Sequence, residues 1–195
     1  MRMVLLGPPA AGKGTQGRRL AARFGGAHVD TGELLRAHVD RGTELGRTAR
    51  VHMERGELLP DEVVIAMATE RLAEPDCAED FVLDKFPRTV PQTEALDRQL
   101  AARSAPLQAV VQLRISSEEL HRRVAERARI EDRGDDEDAE AIQRRIDSYL
   151  QDTRPLADYY LRCGLLVQVD GIGSVDQVGE RIVEGLAAHA REHQG

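Results

Sequence analysis

The sequence predicts a doubly wound α/β protein, and three observations carry that reading. Short apolar runs alternate with helical stretches along the chain, a loop follows each run, and the first run, RMVLL at 2–6, breaks at once into a glycine-rich loop. Parallel strands buried on both faces read as near-continuous hydrophobic stretches, and strand–helix alternation builds a parallel sheet covered by helices.

Each element has its own signal. After the loop, TQGRRLAARF carries Leu20, Ala21 and Phe24 on one helical side, and the glycines at 25 and 26 end it. AHVD is a second short strand. Helices are expected at about 31–40, 43–55 and 61–73, punctuated by Gly42, Gly56 and Pro60. FVLD, QAVVQLRI and LLVQVD are the third, fourth and fifth strands, with helices between them. Ser116 with Glu119, and Ser174 with Gln177, have capping-box spacing. The longest polar interruption is RIEDRGDDEDAE at 129–140, either a solvated loop or a mobile lid over a site. The terminal AREHQG reads as a frayed end.

Composition bounds the function. The 195 residues suffice for one well-buried domain, 1–195, with small insertions. Aromatics are 3% with no Trp, so the core is aliphatic. A net charge of −7 and a pI near 5.4 argue against a general binder of nucleic acid or membrane surfaces. Cys77 and Cys163 lack metal-ligand spacing, so no zinc site is expected. The opening apolar run stops at Gly7, too soon for a secretory h-region, and no run reaches transmembrane length, so a cytoplasmic protein is expected. No long exposed apolar stripe suggests an obligate dimer, so a monomer is expected.

Of 27 Lys and Arg residues only Lys13 and Lys85 are lysines. Lys13 sits in GPPAAGKGTQ, between a strand and a helix, the setting that turns a glycine pattern into a phosphate site. Successive backbone N–H groups and the helix N-terminus face an anion there; a lysine reaches the outer phosphates and a Thr hydroxyl binds or orients Mg²⁺. Gly14 follows the lysine where Ser or Thr is usual, and a turn with an incidental lysine is the bland alternative. The loop predicts a nucleoside triphosphate site.

GPPAAGKGTQ is similar to the phosphate loop of the adenylate kinase family of nucleoside monophosphate kinases. VDTGELLR resembles that family's monophosphate-gripping segment, GELLPDEVV the end of its small domain, and LDKFPRTVPQ its Asp-Gly-Phe-Pro-Arg motif with the following glutamine. The likeness extends to PLADYY and VDGIGSVDQV near the C-terminus.

The resemblance implies a P-loop three-layer fold with a five-stranded parallel sheet of order 2-3-1-4-5. It also implies a monophosphate-binding subdomain at 30–59 and a short lid at 128–138, both swinging against the sheet. The implied reaction is transfer of a phosphoryl group from ATP to AMP, work done by positioning and charge neutralisation without a general base.

By the same resemblance Gly7, Pro8, Ala10, Ala11, Gly12, Lys13, Gly14 and Thr15 cradle ATP, while Arg123 and Arg127 lie on the ATP side, Arg123 near the base. Arg36 and Arg88 clamp the acceptor phosphate; Thr31 and Gln92 read adenine; Glu57, Leu58, Leu59 and Lys85 line the acceptor site. Asp84 holds Mg²⁺ through water, with Thr15 as a further contact. Arg133 falls in the lid and Arg145, rather than Arg144, is the arginine of the returning helix, although in so arginine-rich a chain each of these is alternatively a solvated face.

Three positions depart from the family pattern. Ala10 replaces a loop glycine, a change tolerable at negative φ that can otherwise crowd the β-phosphate. Asp30 stands where a small residue such as Ser is usual, and Lys85 replaces the glycine of Asp-Gly-Phe-Pro-Arg. Strands 2 and 3 are neighbours in the implied order, and ligands bind beyond the carboxyl ends of such strands, so an Asp30–Lys85 ion pair is expected at the acceptor mouth. Partly exposed, it adds about 0–1 kcal/mol; the alternative has Lys85 pointing to solvent. Lys85 also motivates a second functional reading, a kinase of this fold with another acceptor. A nucleotide-binding sensor without turnover is a third, opposed by the retention of Lys13, Asp84, Arg36, Arg88 and the lid arginines.

Overall fold

The computed structural model describes residues 1–54, 59–130 and 139–193. The five strands are β1 (Arg2–Leu6), β2 (Ala27–Asp30), β3 (Phe81–Asp84), β4 (Ala109–Arg114) and β5 (Leu166–Asp170), all parallel in the order β2-β3-β1-β4-β5. Their mostly apolar runs are explained by burial on both faces: Met3, Val4, Leu5, Leu83, Val110 and Val111 are at most 2% exposed. One core packs around Phe81, Phe86, Leu156 and Tyr160, and a second, on the opposite face, around Met3, Val111, Ile182 and Leu186.

The helices among the described residues are α1 (Lys13–Phe24), α2 (Thr31–Asp40), α3 (Glu44–Glu54), α4 (Asp61–Leu72), α5 (Val90–Ala102), α6 (Ser117–Ile130), α7 (Ala139–Ser148), α8 (Pro155–Arg162) and α9 (Val175–Glu192). A π turn over Tyr149–Thr153, which the sequence does not announce, joins α7 to α8. Gly25 closes α1 in the left-handed conformation, as the GG signal predicts. The Ser174–Gln177 capping box is complete. At Ser116 only half forms: its hydroxyl accepts from the Glu119 N–H, while the Glu119 carboxylate turns to Arg122 and Arg123. The expected fraying at 190–192 does not occur, because those residues complete α9.

Leu35, Ala49 and Met67 form a small third cluster, with Leu34, Val39, Leu45, Leu59 and Val64 against it. It gives α2, α3 and α4 an apolar centre apart from the two sheet cores. Of the expected lid at 128–138, residues 128–130 end α6 and 131–138 lie outside the described residues.

Candidate active site

The sheet register assembles the site. Asp30 and Asp84 are direct neighbours at the ends of β2 and β3, and Leu5 pairs with Asp84 from β1. The loop after β1, the start of α2 and the loop after β3 therefore open at one carboxyl edge, where ligands of open α/β sheets bind.

The phosphate loop runs from Gly7 to Lys13. Gly7 has φ 149°, and a Cβ there would stand 2.9 Å from the Leu113 carbonyl oxygen. Gly12, at φ 91°, turns the chain into α1. Ala10 has φ 58°, so the condition under which its methyl is harmless is not met. The chain holds an alanine in a conformation that costs an L-residue about 1 kcal/mol or more. Ala11 is buried, and Thr15 is exposed in the first turn of α1.

Lys13 folds back over its own loop and donates to the carbonyls of Gly7 and Pro8 at 2.7 and 2.8 Å. Burial pushes its ammonium down to about 8; Asp84 opposes that shift, Arg88 and Lys85 reinforce it, and Asp30 opposes it weakly. Asp84 is fully buried, and neither carboxylate oxygen has a hydrogen-bond partner. Oδ2 lies 3.4 Å from where a Gly14 Cβ would stand, so the absence of a side chain at 14 leaves room between acid and loop. A buried, unpartnered carboxylate beside a phosphate loop suits a divalent cation and its waters. The Asp84 carboxylate thus has the chemistry of a Mg²⁺ donor.

The residues expected on the acceptor side are wired differently. Lys85 Nζ meets both oxygens of Asp30, at 2.7 and 2.9 Å, so the lysine does not point away to solvent. The pair is more enclosed than expected on its acidic side: Asp30 is 3% exposed and Lys85 30%. Asp30 also caps α2, accepting from Gly32 N and Glu33 N, a role the sequence reading missed although Asp is a favoured N-cap. Burial pushes the Asp30 carboxyl upward, but the Lys85 charge and hydrogen bonds and the two cap N–H groups outweigh it and hold the group below its ordinary value.

Lys85 has φ 66°, which accounts physically for the glycine usual at that place. Its carbonyl accepts from Thr31 Oγ1 at 3.1 Å and from Arg88 Nε at 3.0 Å. Gln92, 1% exposed, donates to Asp61 Oδ1 and accepts from Arg88 N. Asp61 Oδ1 also accepts from Thr89 Oγ1. Asp61 lies within GELLPDEVV, yet nothing in that stretch marks a tie to Gln92, 31 residues away; only the packing of α4 beside α5 brings them together.

Arg36 stands part-buried on α2. Leu59 packs into the cluster of Leu35, Ala49 and Met67. Arg123 donates to Glu119 and to the Gly171 carbonyl at 2.8 Å, tying α6 to the loop after β5. Glu57, Leu58 and Arg133 lie outside the described residues, as do the side chains of Arg127 and Arg145.

Comparison with known proteins decides the family. The adenylate kinase family profile matches residues 5–165. The chain belongs to the adenylate kinase family. It is 45% identical over 190 residues to the adenylate kinase of Thermobifida fusca (strain YX), covering 97% of this chain and all of that protein. The adenylate kinase of Stenotrophomonas maltophilia (strain K279a) is 44% identical over 96% of this chain and all of its own. That of Xanthomonas campestris pv. campestris (strain 8004) is 47% identical over 95% of this chain and 99% of its own. The adenylate kinase fold reading, with its strand order, thus agrees with the structure, and the chain is a nucleoside monophosphate kinase. No helix among the described residues is long and apolar enough to cross a membrane.

Proposed function

We propose that the protein reversibly transfers the γ-phosphoryl group of ATP, bound as its Mg²⁺ complex, to AMP, giving two ADP. The observation that carries this reading is the meeting, at one sheet edge, of a phosphate loop with unspent charge and a ready-made acceptor pocket. On the donor side are Lys13 and the unpartnered Asp84; on the acceptor side, Thr31, Arg88 and Gln92. The full-length likeness to adenylate kinases supports it.

In the forward direction an oxygen of the AMP phosphate attacks the γ-phosphorus. The bond from that phosphorus to the β–γ bridging oxygen breaks, its electron pair staying on ADP. The nucleophile is already an anion, so no base is needed, and the enzyme's contribution is alignment and charge neutralisation.

Lys13 leaves the Gly7 and Pro8 carbonyls for the outer phosphates, regaining its full charge beside an anion. Arg36 and Arg88 hold the acceptor phosphate, each capable of bidentate contacts. Thr31 and Gln92 line the base pocket; after its contacts to Asp61 and Arg88, the Gln92 amide still has one N–H and one lone pair for adenine. Asp84 through water, and Thr15, would hold Mg²⁺, which would supply positive charge against the phosphates. Residues 30–59 act as the acceptor-binding unit, and the protein works as a cytoplasmic monomer on free nucleotides.

The test is ADP formation from MgATP with AMP, CMP, UMP and GMP in turn. AMP is expected to exceed the other acceptors in kcat/KM by at least about tenfold. Another monophosphate winning would replace the acceptor. Tight binding of ATP and AMP without ADP would instead make the protein a nucleotide sensor.

A further inference from the structure

Resting on the acceptor reading above, we propose that Asp30 and Lys85 form a positioning clamp that sets affinity for the acceptor nucleotide without touching the reacting atoms. Three contacts converge on these two residues. The Asp30 carboxylate caps α2, fixing the first turn that carries Thr31 and, further on, Arg36. The Lys85 ammonium binds both oxygens of that carboxylate, and its alkyl chain lies over Gly32, where a Cβ would meet Lys85 Cδ at 3.1 Å and Nζ at 3.0 Å. The left-handed Lys85 backbone aims its carbonyl at Thr31 Oγ1 and Arg88 Nε together.

One residue thereby fixes a group from each wall of the pocket. A glycine at 85 reaches the same turn more easily but has no side chain to tie it to α2. The ion pair does that tying, holding a backbone conformation that the lysine adopts only at a cost. Donor-side groups are not hydrogen-bonded to this carbonyl, and the Asp30 and Lys85 charges act on Lys13 in opposite senses, so the clamp acts mainly on acceptor binding.

The test measures initial rates with AMP and MgATP varied separately, for the native protein, Asp30→Asn, Lys85→Met and the double variant. Asn still caps a helix, so Asp30→Asn removes the ion pair while sparing the cap. Each single variant should raise the KM for AMP about five- to tenfold with the KM for ATP within about twofold. The double variant should be no worse than the poorer single, as expected of two residues in one interaction. Lys85→Arg, which keeps the charge, should recover most of the loss. A purely structural pair would lower thermal stability while leaving KM for AMP unchanged; that result, or equal rises in both KM values, overturns the clamp. Failure of the native protein to form ADP, with AMP binding by calorimetry still weakened in the variants, overturns the activity and leaves the clamp standing.

A separate observation points to a transition-metal site on the last turn of α9. His189, Glu192 and His193 follow the spacing H-x-x-E-H, which puts all three on one helical face. One ligand atom from each lies within 4.8 Å of the others, and the imidazole centroids are 4.3 Å apart. His193 Nδ1 is 2.9 Å from the His189 carbonyl, so Nδ1–H donates there and Nε2 keeps its lone pair for a metal. The C-terminal helix dipole favours a cation, and two imidazoles with one carboxylate suit Zn²⁺. Calorimetric titration of the full nucleotide-free chain with Zn²⁺ should show one site of roughly micromolar affinity. His189→Gln and His193→Gln should each weaken it at least about tenfold with kinase activity intact as proof of folding. Equal Zn²⁺ binding by the native chain and the His189→Gln/His193→Gln variant, or no binding to either, overturns it.

Discussion

The two halves of the proposed active site differ in how much of their chemistry is already spent. On the donor side the Asp84 carboxylate is buried with no hydrogen-bond partner, and Lys13 rests on its own loop's carbonyls. On the acceptor side Asp30, Thr31, Lys85, Arg88, Gln92 and Asp61 are joined through hydrogen bonds and an ion pair. The donor half therefore carries an electrostatic cost that a metal–nucleotide complex relieves, which is how differential binding is stored in a free enzyme. The acceptor half has its groups oriented beforehand and gains affinity through preorganisation.

The difference can be broken most severely at Lys13. Lys13→Met should cut kcat at least about a hundredfold without unfolding the protein, because the ammonium's hydrogen bonds go only to two carbonyls of its own loop; a coupled ADP assay with circular dichroism reads both. On the other side Asp61→Ala strips Gln92 and Thr89 of a shared acceptor. It should raise the KM for AMP and lower unfolding free energy by about 1–3 kcal/mol, a combination of effects that Lys13→Met lacks.

The Asp30–Lys85 pair gives the acceptor half a pH signature. Its carboxyl titrates below the ordinary value, so its stabilisation is fully present above about pH 4 and disappears as pH falls through the lowered folded value. Urea unfolding of native protein and Asp30→Asn should differ by about 1–2 kcal/mol at pH 7 and converge under strong acid. Smallest is Ala10→Gly: relief of the left-handed backbone less the added chain entropy should stabilise by about 0.5 kcal/mol, seen as a slight rise in Tm.

The fold was largely legible because the strands are short, aliphatic and separated by loops, and because the motifs fall in a family order. Even a long-range contact, Asp30 with Lys85, followed from two residues ending adjacent parallel strands. What stayed hidden had, with one exception, no local signal. Ala10 gives no hint of positive φ, since alanine is at home in ordinary helices and loops. Asp61 looks like a first-turn acid of α4, and its tie to Gln92 exists only in three dimensions. The exception is Asp30, whose place just before α2 marks an N-cap as well as a charge partner.

Asp84→Asn, followed by both kcat and thermal unfolding, tests the division between the two halves most directly. Replacing an unpartnered buried carboxylate by a neutral amide should lower kcat at least about a hundredfold while Tm holds or rises, since the variant no longer buries a bare charge. A fall in Tm together with activity would show that the Asp84 charge supports the fold, and that the donor half is wired like the acceptor half after all.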